Sequence, residues 1–79
     1  MTLKIISAVE IAYEGEVQSV TLPGTMGNFT VLQNHASLIS TLSPGKIIYH
    51  TADSSEPVSV EIGGGLADVD NNMISVCIY

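Results

Sequence analysis

No stretch of ten residues in this chain carries a capped helical stripe, and that absence constrains the fold more than any residue it contains. Apolar residues instead come in short β-branched runs, each closed after a few residues by Gly, Pro or Asn. "TLKIISAV" comes first, "EVQSVTL" ends at Pro23-Gly24, and "NFTVL" is followed by Gln33-Asn34-His35. "LISTL" ends at Pro44-Gly45, and "KIIYHT" follows at once. "PVSVEI" alternates, with Val58, Val60 and Ile62 on one face and Ser59 and Glu61 on the other. "LADV" leads through Asp70-Asn71-Asn72 into "MISVCIY". Close-spaced strands with this punctuation predict an all-β fold, a small two-sheet sandwich or flattened barrel.

At 79 residues the chain is one domain, 1–79. A chain of this length buries about 60% of its unfolded surface. Its core supplies only about 3–5 kcal/mol, so small domains usually add a staple or a partner. The single cysteine, Cys77, excludes an internal disulfide. A partner is therefore the first place to look for extra stability. The composition agrees, with 46% hydrophobic and 13% charged residues. The first and last strands are apolar on both faces. Leu3, Ile5 and Val9 point one way and Ile6 and Ala8 the other. Ile74, Val76 and Ile78 oppose Met73, Cys77 and Tyr79. Strands of that kind are covered on both faces, and a two-layer sandwich covers only one.

The net charge is −6, from eight acids and two lysines, Lys4 and Lys46. With no arginine, the chain is a poor ligand for nucleic acid or an anionic membrane. It has no apolar run of about 18 residues and no signal-peptide pattern at its start, so it reads as cytoplasmic.

The candidates for chemistry are few. His35 is a possible base or ligand, yet zinc needs three or four ligands and the only other histidine is His50. Cys77 and His35 carry no local signature of a nucleophilic pair. The simpler reading has His35 bonding the backbone of its own loop. Gly63-Gly64-Gly65 leads into "LADV" rather than a helix, so it reads as a bulge or close backbone approach, not a phosphate loop. Pro44-Gly45 is a turn. The alternative reading is a small acidic β carrier domain with a lipoyl or biotinyl group on Lys46, but Ile47 and Ile48 follow directly, which starts a strand there. Glu10, Glu14 and Glu16, with Gly15 between two of them, read as a solvated hairpin. No catalytic residue, metal ligand or cofactor is expected.

"EGEVQSVTLPGTMGNFTVLQNHASLISTLSPGKIIY" followed by "VEIGGGLADVDNNMISVCI" resembles the N-terminal β-sandwich domain of the epsilon subunit of F-type ATP synthases. Gly15, Gly24, Gly27, His35-Ala36, Leu38, Pro44-Gly45 and Gly63-Gly64-Gly65 occupy the places of that family's hallmarks, and the ordered set covers nearly the whole chain. The resemblance implies a non-catalytic domain at the foot of the rotating central stalk. It would be peripheral, on the cytoplasmic face of the bacterial inner membrane. It would pack on the gamma subunit and touch the c-ring, coupling proton-driven rotation to ATP synthesis. On that reading a loop of Gly27, Asn28 and Phe29 points to the ring, although the family often has an acid where this chain has Asn28. Met73 and Cys77 face gamma, and His35, Pro44, Gly45, Gly63, Gly64 and Gly65 shape turns. Family members usually add a C-terminal helical hairpin, which can inhibit ATP hydrolysis. This chain stops at Tyr79, as a naturally short form or a truncated one.

Overall fold

The computed structural model describes residues 1–79 and contains nine strands and no helix. They are β1 (Thr2–Ile6), β2 (Ile11–Glu16), β3 (Ser19–Gly24), β4 (Gly27–Leu32), β5 (Leu38–Leu42), β6 (Gly45–His50), β7 (Val58–Ile62), β8 (Gly65–Asp70) and β9 (Met73–Ile78). The all-β expectation holds. The two layers, however, are halves of one curled sheet ordered β2-β1-β9-β8-β5-β3-β6-β7, with β4 paired to β3. All pairs are antiparallel except β1 with β9.

The curl turns on the end of β3. That strand pairs with β6 through Ser19, Val20 and Thr21, then meets β5 through the single pair Gly24–Leu42. Pro23, which has no N–H to give a ladder, stands at the changeover, and its carbonyl accepts the Ser43 N–H at 2.8 Å. The layer β2-β1-β9-β8-β5 therefore folds over the layer β4-β3-β6-β7.

Alternation fills the space between the layers. Leu3, Ile5, Val20, Leu22, Ile47, Ile74 and Val76 have no exposed surface. Tyr13 of β2 meets Tyr49 of β6 across the gap, with ring centroids 4.4 Å apart and planes tilted by 32°. That tilted geometry suits aromatic quadrupoles. Burial raises the Tyr49 phenol above its ordinary value, and the neighbouring Tyr13 adds to the shift.

Three expectations need correction. The first strand ends at Ile6, not Val9; Ser7 to Glu10 form a turn closed by the Ser7 N–H to the Glu10 carbonyl at 2.9 Å, which leaves Val9 88% exposed. Gly15 is not a hairpin turn. It lies inside β2 opposite Leu3, and a methyl there would meet the Tyr13 hydroxyl at 2.7 Å, so its smallness makes room for that side chain. Asn28 and Phe29 are not loop residues either. They lie in β4, paired to Pro23 and Leu22, because the hairpin turns over the two residues Thr25 and Met26.

Candidate functional site

The residues proposed for chemistry do not assemble. His35 is exposed; its Nδ1 lies 2.7 Å from the Ala36 carbonyl, and its N–H reaches the Leu32 carbonyl at 3.2 Å. Its polar contacts stay within its own loop, as the simpler reading expects. His50 pairs instead with the Ser19 hydroxyl at 3.2 Å. No three His, Cys, Asp or Glu side chains stand together as a metal site. Lys46 is the second residue of β6, paired with Glu61, and not a hairpin tip that a carrier enzyme would grip.

The glycine run is structural in the way its sequence suggests. Gly64 adopts φ +128°, a conformation that side chains rarely tolerate. Gly65 pairs with both Leu42 and Ile78, and a methyl there would overlap the Cys77 carbonyl. Pro44 lies in the short connection from β5 to β6, and Gly45 opens β6 against the Pro23 ring.

Two surfaces remain. One is the outer face of the layer β2-β1-β9-β8-β5. The strand register aligns side chains in rows across it. Ile11, Ile6, Cys77 and Leu66 form one row over four strands. Ile11 is 52% and Leu66 45% exposed. Glu14, Lys4, Ser75 and Asp68 form the next, with Ile39 of β5 beyond them at 70% exposure; Glu16, Thr2, Met73 and Asp70 form the third. Met73 and Cys77 are thus outward and exposed while Ile74 and Val76 are sealed inside, the partition that the doubly apolar strand required. Ile11 and Leu66 belong to the same face. The sequence reading missed them because a register between distant strands leaves no local signal.

The second surface is the β3–β4 hairpin tip. Met26 is fully exposed there. Gly27 takes φ +122°, which lets Thr25 and Met26 turn in ordinary backbone. Phe29, two residues on, is half-buried; it pairs with Leu22 and packs against the core, its ring lying over Gly24. The aromatic residue is a support for the tip, and Met26 is its outermost point.

The opposite end of the sandwich is tied down. Asn34 and Asn72, both at positive φ, hold each other through the Asn34 N–H to the Asn72 side-chain oxygen at 2.6 Å and the Asn72 amide to the Asn34 oxygen at 3.0 Å. The Ser37 hydroxyl donates to Asp70 at 2.6 Å. These bonds join the His35 loop to the β8–β9 turn.

Residues 1–78 match the family described as ATP synthase, Delta/Epsilon chain, beta-sandwich domain. The chain belongs to that delta/epsilon β-sandwich family. It is 42% identical over 76 residues to the ATP synthase epsilon chain of Campylobacter jejuni subsp. doylei, covering 96% of this chain and 58% of that one. It is 41% identical over 78 residues to the epsilon chain of Sulfurovum sp., covering 99% and 59%. The chain thus spans about three-fifths of the length of these epsilon-chain relatives. Among solved structures, a chain of the Euglena gracilis mitochondrial ATP synthase, determined with OSCP, F1 and c-ring, superposes with a TM-score of 0.87 at 22% identity. That match covers 96% of this chain and 48% of the other. A chain of the Tetrahymena thermophila central stalk and c-ring gives 0.83 at 11% identity, covering 98% and 61%. At those identities the likeness establishes the fold alone.

Proposed function

We propose that this domain is a non-catalytic coupling element of the rotor stalk of an F-type ATP synthase. It packs on the gamma subunit through the outer face of β2-β1-β9-β8-β5, with Cys77 and Met73 in the contact. It touches the c-ring with the β3–β4 tip, where Gly27 and Asn28 flank the turn and Phe29 braces it from below. It meets the membrane only through the ring, on the cytoplasmic face in a bacterium.

The observation that carries this reading is the apolar row Ile11–Ile6–Cys77–Leu66 on the outer face, with Ile11, Cys77 and Leu66 exposed and Ile6 half-buried, outside the cluster of buried residues that forms the core. An apolar face of that kind suits a partner that stays bound through rotation. A small projecting tip suits an end-on contact. The structural likeness to chains of rotor assemblies supports the same placement.

Two variants separate the surfaces. Cys77→Glu places an unpaired charge in the outer face and weakens gamma binding by tenfold or more, on the order of one buried charge left without a partner. Met26→Asp leaves gamma binding at the parental level but lowers proton-coupled ATP synthesis in reconstituted vesicles. If both variants lose gamma equally, or if neither changes binding or synthesis, the two-surface reading fails.

A further inference from the structure

The outer face is chemically split, and the split specifies the partner. The row Ile11–Ile6–Cys77–Leu66 crosses one end of the face. Towards the other end, the next two rows hold Glu14, Glu16, Asp68 and Asp70 against one base, Lys4. Two of these acids have partners. Glu16 accepts from the Thr2 hydroxyl at 2.7 Å and the Met1 ammonium at 3.2 Å, and Asp70 accepts from Ser37. Asp68 and Glu14 accept no hydrogen bond, and the only ion pair in the molecule is that between Met1 and Glu16.

Relief adds to the charge. A shallow groove of about 310 Å³ runs between β8 and β9, lined by Asp68, Asp70, Asn71, Met73 and Ser75. A second, of about 380 Å³, lies on the β5 side, where Ile39 and Ser37 join Asp68 and Asp70. The carboxylates of β8 therefore form a ridge reachable from two troughs. The outer face of the other layer has no such polarity. Besides Leu32 and the half-buried Ile48 it carries Ser19, Thr21, Thr30, Ser59 and His50, and its charged side chains are the opposed pair Lys46 and Glu61.

We infer that the element docking here carries an apolar stripe beside at least two lysine or arginine side chains. It is oriented with the stripe over Cys77 and Leu66 and the bases in the troughs beside Asp68 and Asp70. The stripe supplies most of the affinity by desolvation. The acids set direction and speed of encounter, because the reversed orientation would press basic groups onto the apolar row and leave Asp68 covered without a partner. Naming the docking element as part of gamma rests on the function proposed above; its chemistry rests on this face alone.

The test is binding of purified gamma to the full chain, titrated between 50 and 500 mM NaCl. Asp68→Asn/Asp70→Asn, which keeps side-chain size and an oxygen for Ser37, is expected to lower affinity about tenfold at low salt. It should also remove most of the salt dependence. Leu66→Ser is expected to lower affinity while retaining the parent's salt dependence. If the double variant binds like the parent at every salt, or if Lys46→Glu on the other layer causes the loss instead, the orientation inferred here is wrong while the gamma reading stands. If the parent chain fails to bind gamma at any salt, the gamma reading itself is overturned, and the docking inference with it.

Discussion

Replacing Gly64 with alanine adds one methyl group to a backbone held at φ +128°. An L-residue forced into such a conformation costs about 1–3 kcal/mol. The methyl would also lie 3.1 Å from two Tyr79 ring carbons and 3.3 Å from the Leu42 carbonyl oxygen. The ring is 90% exposed and free to swing aside, so that contact adds little. The carbonyl belongs to the buried end of β5 and has less freedom, so the total is about 2–3 kcal/mol. Two other glycines act as internal controls. Gly27 has nearly the same φ, +122°, with no atom within 4 Å of the added methyl, so Gly27→Ala isolates the backbone term at about 1–2 kcal/mol. Gly63 has no positive φ, and its methyl would meet only the Tyr79 carbonyl at 3.5 Å, so Gly63→Ala stays within about 0.5 kcal/mol. Thermal melts followed by circular dichroism separate the three, since 1 kcal/mol moves Tm by about 4–8 °C in a domain of this size. The expected order of loss is Gly64 first, then Gly27, with Gly63 near the parent. If Gly64→Ala melts together with Gly63→Ala, the glycine run has no conformational role.

Phe29→Ala is expected to destabilise the domain by about 2 kcal/mol, roughly half the loss for a fully buried phenylalanine, and urea titration would show it. A parental midpoint would mean that the ring is a free surface anchor. The Thr2 hydroxyl, with the hydrogen bond and charge of the Met1 ammonium, holds the Glu16 carboxyl below its ordinary 4.5. A carboxyl lowered by folding stabilises the folded state above that value and loses the contribution as pH falls through the lowered pKa. The Tm difference between parent and Glu16→Gln should therefore shrink between pH 7 and pH 3, and a difference that grew in acid would refute the assignment.

Much of the fold was legible in the residues themselves. "PVSVEI" announces a strand because period-2 alternation shows locally which side chains must leave water, and "MISVCIY" does so because a short run with β-branched residues follows the turn signal Asp70-Asn71-Asn72. Gly64 announces a special backbone because no other residue tolerates one so readily. His35 bonds its own loop as the missing ligands implied, and the excess of apolar residues in the terminal strands correctly required a face outside the core. The strand β2, "IAYEGE", was harder to see, since Gly15 mimics a turn signal and only the need to seat Tyr13 explains it. Phe29 read as a tip because Gly27-Asn28 looks like a loop, although the reversal falls on Thr25 and Met26.

Local pattern, then, determined the all-β class, the strand spacing and the presence of a surplus apolar face. Only the tertiary structure decided where that surplus lies. Alternation says only that Cys77 shares a strand face with Met73, and Leu66 with Asp68. That Cys77 and Leu66 stand side by side, with Ile6 and Ile11 continuing the row and Asp68 one row away, depends on which strands pair and in what register. The parallel pairing of β1 with β9 joins residues some seventy positions apart, and no short-range preference encodes it. It arises because the chain must close a single sheet over one small core, and packing that core selects the register.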